Sequence, residues 1–282
     1  MVANTLNFSK LIVDYNRSVE DVYSSLVHYM LFSTKSLNIL SPCHRRSSHI
    51  TRTWVADWTT ISFYEKGFLQ SGGLLTSSIS GRQSLESFHA SKGEVAVATF
   101  SPDLSALYVK GFRVASVAGS MTDLKGPWPG LHVVLSNKIV LIELLNNWVK
   151  NGFYKTLEVA RKALWAVTVG GMREGDELGF SKWRAWLDND EPNLDLWTIA
   201  LAVQISRTLF YTSDGKPGKG WSSVRQRDLV CIILGCDVPL VLRQTGDYYK
   251  LIGDCYVDGI MQGEAMKYLE EGKLNLETFE IH

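Results

Sequence analysis

Apolar and polar positions alternate along this chain in two different rhythms. Near the start, Val19, Val22, Tyr23, Leu26, Val27, Met30 and Leu31 recur at helical spacing. They predict one helix over Val19 to Ser33 with a continuous apolar face. Ser18 is placed to cap it, and Asp21 is placed to accept from the cap's amide. His28 lies beside the apolar face and reads as a boundary residue. From Ser36 to about Ala118 the rhythm shortens to β-type runs between polar turns. Trp54, Val55 and Trp58 predict a strand or strand end. EVAVATFS and ALYVKGFRVASVAG, joined by Ser101-Pro102-Asp103, predict a hairpin.

Gly126-Pro127-Trp128-Pro129-Gly130 breaks the chain and marks a boundary. Helical spacing returns in IVLIELLNNWVKN and LEVARKALWAVTV. MREGDELGFSKWRAWLDNDEPN reads as a loop with a short helix, and LDLWTIALAVQISRTL begins another. The last quarter is a run of short strands. RTLFYT precedes a Gly/Pro-rich loop, DGKPGKG. LVCIIL and PLVLRQ flank the turn Gly235 to Val238, and Thr245-Gly246-Asp247 turns into YYKLIGDCYV. A short helix, GEAMKYLEEG, and a final TFEIH follow. Strands this short must close on themselves or pack on helices. The prediction is an α+β fold, helices mixed with antiparallel strands, carrying a small C-terminal β-barrel-like unit. Its divisions are an α+β segment over 1–125, a helical segment over 126–206 and the barrel-like unit over 207–282.

Composition narrows the classes. With 282 residues, 45% apolar, the chain can bury a core of one or two domains. Lys+Arg and Asp+Glu balance at 29 each, so no global field draws nucleic acid or anionic lipid. Cys43, Cys231, Cys236 and Cys255 have no zinc-ligand spacing and read as reduced, buried thiols. MVANTLNFSKLIVDY has no signal-peptide layout, and Val2 excludes myristoylation. Glu143 and two asparagines interrupt IVLIELLNNWV before it reaches membrane-spanning length. The expectation is a cytoplasmic protein with no membrane partner.

Four patterns could carry chemistry. Gly215-Lys216-Pro217-Gly218-Lys219-Gly220 has the flavour of a phosphate-binding loop, but Trp221 follows where that motif needs Lys-Ser/Thr and a helix. It reads as a flexible β-loop. Asp254, Asp258 and Glu264 do not fit a calcium loop, and Gly259 and Gly263 serve turns. The six histidines, His28, His44, His49, His89, His132 and His282, lie in no hydrolase or metalloprotease motif. Arg45, Arg46 and Arg52, with His44 and His49, form a basic cluster that reads as a solvated loop, without the stacking aromatics of an RNA-binding sheet. From Arg207 on, nine basic residues face eleven acidic ones, which weighs against nucleic acid.

Four blocks, in order, resemble the region downstream of the heterokaryon-incompatibility (HET) domain in large fungal proteins. They are DYNRSVEDVYSSLVHYMLFSTKSLNIL, TWVADWT, ALYVKGFRV, and RTLFYTSDGKPGKG with RDLVCIILGCDVPLVLR and YYKLIGDCYVDGIMQGE. Three positions depart from the pattern: Ala56 replaces a proline, Trp221 stands where the family continues toward Gly-Pro, and Arg227 replaces the glycine of a Gly-Asp turn. In the family the HET domain precedes the block beginning at Asp14, so none of its residues carries over. The resemblance implies a truncated paralogue, a gene fragment or a stand-alone regulatory half. Its role would be non-enzymatic: a scaffold or regulatory portion acting in non-self recognition and programmed cell death. The implied partner is a HET domain or another incompatibility protein. The residues assign no catalytic, cofactor-binding or metal position and no cofactor. Two alternatives stay open. A small-ligand or peptide sensor would use the barrel mouth or an unpaired edge between Leu229 and Leu251. A hydrolase would need convergent polar groups in a deep pocket, and no nucleophile elbow supports one.

Overall fold

The computed structural model describes residues 16–43, 49–58, 88–120, 138–169, 177–189 and 207–282. In chain order the elements are α1 (Val19–Thr34), β1 (Ala98–Phe100), β2 (Leu107–Ser120), α2 (Lys138–Lys150), α3 (Leu157–Val169) and α4 (Glu177–Asp188). Then come β3 (Arg207–Thr212), β4 (Pro217–Trp221), β5 (Leu229–Ile233), β6 (Leu240–Thr245), β7 (Tyr248–Val257), α5 (Met266–Glu270) and β8 (Glu277–Ile281). This is the expected α+β class. The helix expected to begin in LDLWTIALAVQIS falls outside the described residues, as do Arg45, Arg46, His44 and His132. Among the described residues, no helix is long and apolar enough to cross a membrane.

α1 starts where Ser18 caps it. The Ser18 hydroxyl accepts from the Asp21 N–H at 3.1 Å and donates to the Asp21 carboxylate at 2.7 Å. The carboxylate therefore takes the cap's hydroxyl rather than its amide. The buried face is also rotated from the predicted stripe. Ser24, Ser25, Val27, His28 and Leu31 are buried, while Val19 and Val22 are exposed. Burial of two serines is possible because their hydroxyls donate back to the Glu20 and Asp21 carbonyls, at 2.7 and 2.8 Å. His28 is no boundary residue: it packs between the rings of Phe32 and Phe100.

No strand forms around Trp54. That segment is a turn whose apolar side chains, Trp54 and Val55, are wholly buried. Its backbone is held from outside, by the Thr53 N–H donating to the His282 carbonyl at 3.0 Å. The aromatics signalled a core position correctly and the ladder wrongly.

The barrel is a ring of six strands in the order β2-β3-β4-β7-β6-β5, closed by the pairing of β5 with β2. β3, β5, β6 and β7 are the strands read from RTLFYT onward, β4 forms where a loop is expected, and β2 comes from the segment before Gly126. β2 and β7 are the long strands, and each changes partner along its length. β2 pairs with β1 and β8 near Leu107 to Gly111, with β5 from Gly111 to Ser116, and with β3 from Val117 onward. β8 lies antiparallel to β2 and touches β7 in parallel at Tyr249↔Ile281. Bulges at Arg113/Ala115, Val117/Gly119 and Val241/Leu242 bend the wall, as closure of a small ring requires.

The Gly/Pro-rich loop is in fact strand β4, and every residue of it is buried. Strand alternation sends Gly218 and Gly220 inward, opposite Phe210 and Thr208 of β3. A Cβ on Gly218 would lie 2.5 Å from the Phe210 ring. The glycines that suggested flexibility are there because an aromatic fills the space beside them. The ring's interior is a packed apolar core including Phe112, Phe210, Val230, Ile232, Val241 and Val257. A second, larger core lies outside the wall and joins it to α1 to α4 through Val27, Leu37, Trp54, Leu145, Trp165 and Trp183. α3 packs directly on β4.

Candidate functional site

The register that sends the glycines inward sends the polar residues of β3, β4 and β7 outward, beneath the helices. Arg207 pairs with Trp221, Leu209 with Lys219, and Lys219 with Tyr256. Asp254, two residues from Tyr256, shares that outer face. Asp254 is fully buried, and three side chains donate to it. Arg207 Nη1 reaches Oδ1 at 2.7 Å, Trp221 Nε1 reaches the same oxygen at 2.8 Å, and Ser41 Oγ reaches Oδ2 at 2.5 Å. The Arg207 guanidinium also lies 3.6 Å from the centroid of the Trp221 ring, so a cation–π contact adds to the ion pair. Ser41 belongs to the turn after α1, so the network joins the upstream segment to three barrel strands.

Lys219 stands next in this face, with 3% of its surface exposed. Its Nζ donates to the Thr168 carbonyl in the last turn of α3, at 2.8 Å. Burial, and then the charge of Arg207, hold its ammonium well below the usual lysine range. The amine is pinned to a helix end.

The candidates singled out by sequence are dispersed. Asp254 serves the network just described. Asp258 accepts from the Tyr154 hydroxyl at 2.8 Å, and Glu264 accepts from the Gln262 N–H at 2.8 Å. Among the described residues, no group of three potential metal ligands comes together. Lys216 bridges to Asp214 at 3.2 Å in the β3–β4 turn, while Lys219 points out of the ring and under α3. Arg52 of the basic cluster pairs with Asp21 at 2.8 Å, with Ser24 as a second partner. His282 pairs with Glu280 at 2.7 Å. All four cysteines are buried and free of disulfides. Burial pushes the Cys231 and Cys255 thiols up, and that of Cys236 up to about 12, so they are inert as nucleophiles.

Arg207, Lys219, Ser41 and Tyr154 escaped the sequence reading as polar partners. Arg207 and Lys219 each carry a faint signal, since each occupies an outward position of an otherwise apolar strand. The pairing of Arg207 with Asp254 spans 47 residues and leaves no local trace.

A six-stranded ring with a packed apolar interior, jacketed by helices and tied to the layer around it through the buried hydrogen bonds of Lys219 and Ser41, defines a β-barrel domain. The family model described as the Het-6 beta-barrel domain matches residues 141–275. The match is to a domain of heterokaryon-incompatibility proteins and bears out the kinship read from the four sequence blocks. The matched range runs from within α2 to just before β8, so β2, which closes the ring, and β8 lie outside it. No curated protein and no solved structure matches the chain.

Proposed function

We propose that this chain is a non-enzymatic regulatory or scaffold portion of a heterokaryon-incompatibility protein. It would act in fungal non-self recognition and the cell death that follows, in the cytoplasm, by restraining or positioning a HET module. One observation carries the reading: Asp254, fully buried within the matched range, accepts from Arg207, Trp221 and Ser41. A buried carboxylate engaged by three side-chain donors is taken up by the fold that surrounds it. Those contacts serve architecture, and the matched family supplies the biological setting.

The sensor reading gains no support from the strands it was tied to. β5 has β2 and β6 on its two sides, and β6 has β5 and β7, so strand addition there has no free edge. The ring interior is filled by side chains.

The test is a calorimetric titration of the purified chain with a purified HET domain. Saturable heat of association supports regulation in trans. Heat absent at concentrations well above the micromolar range removes that version of the proposal.

A further inference from the structure

Outside the closed ring, the sheet has one open edge. Of the eight described strands, β1 alone pairs with a single strand. The Lys110 N–H donates to the Val97 carbonyl at 2.9 Å, and the Ser101 N–H donates to the Ala106 carbonyl at 3.0 Å. Strand alternation therefore turns the backbone groups of Val97, Thr99 and Ser101 toward β2, and those of Ala98 and Phe100 away from it. Among the described residues, none hydrogen-bonds to the outward N–H and C=O groups of Ala98 and Phe100. The open stretch has defined ends. The Ala96 N–H, which points the same way, donates to the Lys35 carbonyl just after α1, at 3.0 Å. Pro102, the next outward position, has no N–H.

α1 supplies an aromatic flank to this edge. The His28 ring centroid lies 4.9 Å from that of Phe100 and 4.8 Å from that of Phe32, so three rings run from the edge strand to the helix surface. Phe32 is 55% exposed, and Lys35 Nζ lies 5.1 Å from the centroid of its ring. On the other face of β1, Val97 and Thr99 are exposed. We propose that the outer edge of β1, flanked by Phe32 and Lys35, is a strand-addition site for an extended peptide that carries a carboxylate.

The occupant follows from these groups. Donors and acceptors at strand spacing are answered in register by another extended backbone, whereas a helix has already paired its own. The side chains of an added strand alternate between faces, so one set falls on the Phe32 side and the other beside Val97 and Thr99. Charge sets the polarity of the site. Lys35 stands exposed at the Ala96 end and attracts a peptide carboxylate there. Asp103 stands exposed past the Phe100 end and repels one. The fitting peptide is thus β-branched along its length and acidic at one end. Strand addition fails between Leu229 and Leu251 because those strands have neighbours on both sides; β1 meets the condition they miss. This inference goes beyond the regulatory role proposed above and does not rest on it.

Selection of a random synthetic octapeptide library on the full chain tests the site. Enriched peptides should be rich in β-branched residues, with an acid at one end. The tightest of them is then titrated against variants by fluorescence anisotropy. Ala98→Pro removes an N–H that β2 does not use and obstructs the outer edge, so affinity should fall at least about tenfold. Lys35→Glu should weaken the peptide by about fivefold, the range of an exposed ion pair. Circular dichroism checks the fold of both variants, and Lys35→Glu, a change at an exposed position, carries the test if Ala98→Pro does not fold. Enrichment of no peptide overturns the proposal, as does binding that these folded variants leave unchanged. Self-association of the wild type that Ala98→Pro abolishes would make a second copy the occupant and overturn it equally.

Discussion

Asp228 and Arg243 meet at the base of the β5–β6 hairpin in a two-pronged ion pair, with Nε to Oδ1 at 2.7 Å and Nη2 to Oδ2 at 2.8 Å. The carboxylate is almost wholly buried and also accepts the Arg225 N–H at 2.7 Å. Its position depends on the residue before it. Arg227 takes φ +73°, in the left-handed region, and donates its N–H to the Val117 carbonyl at 2.8 Å. This is the position where the resembled family carries glycine, and the backbone explains why.

Arg227→Gly should therefore stabilise the protein. A side chain in the left-handed region costs about 1–2 kcal/mol, and the extra freedom glycine brings to the unfolded chain takes back about 0.5–1 kcal/mol. The side chain of Arg227 is exposed, so no buried contact is lost. Urea denaturation should show a higher midpoint at unchanged slope. An unchanged or lower midpoint would mean that the arginine makes a contact worth more than the strain.

Gly218→Ala should destabilise. The added methyl meets the Phe210 ring at 2.5 Å inside a filled barrel. Overpacking of this kind costs about 1–3 kcal/mol. A flexible loop would tolerate the same change, so thermal melting of this single variant separates the strand β4 from the loop that the glycines suggest.

Lys219→Met should remove a pH dependence. In the wild type the buried amine has a depressed proton affinity, so the unfolded chain binds one proton more than the folded one. Stability then rises with pH between the folded value and the ordinary lysine value. Methionine fills similar space without ionising, and that slope should vanish. Denaturation midpoints of the two proteins should converge as pH rises. Parallel profiles would mean that Lys219 is charged in the fold.

Much of this architecture was legible in sequence because it is local. Helical spacing located α1, α2 and α3, and turn residues located the β1–β2 and β6–β7 hairpins. Glycine misled at Gly218 and Gly220, since a missing side chain signals a flexible loop and a tight wall equally. Trp54 and Val55 misled for a related reason: aromatic and β-branched residues signal burial before they signal a ladder. The serines of α1 hid the helix's buried face, because their polarity is satisfied within the helix itself. The Arg207–Asp254 contact was beyond reach, since only the pairing of β4 with β7, with β5 and β6 between them in the chain, brings β3, β4 and β7 together. The hydrogen bond from Tyr154 to Asp258 joins residues 104 apart and leaves no local trace either.

The central claim is that the buried charges of the barrel wall are architecture. Urea denaturation of Asp254→Asn, with hydrogen exchange on residues 36–43, tests it most directly. Neutralising Asp254 leaves Arg207 buried without its anion, at a cost of about 3–5 kcal/mol. It also weakens the Ser41 tie, so exchange near Ser41 should accelerate. Wild-type stability in this variant, with residues 36–43 still protected, would contradict the claim and mark Asp254 as a charge kept for another purpose.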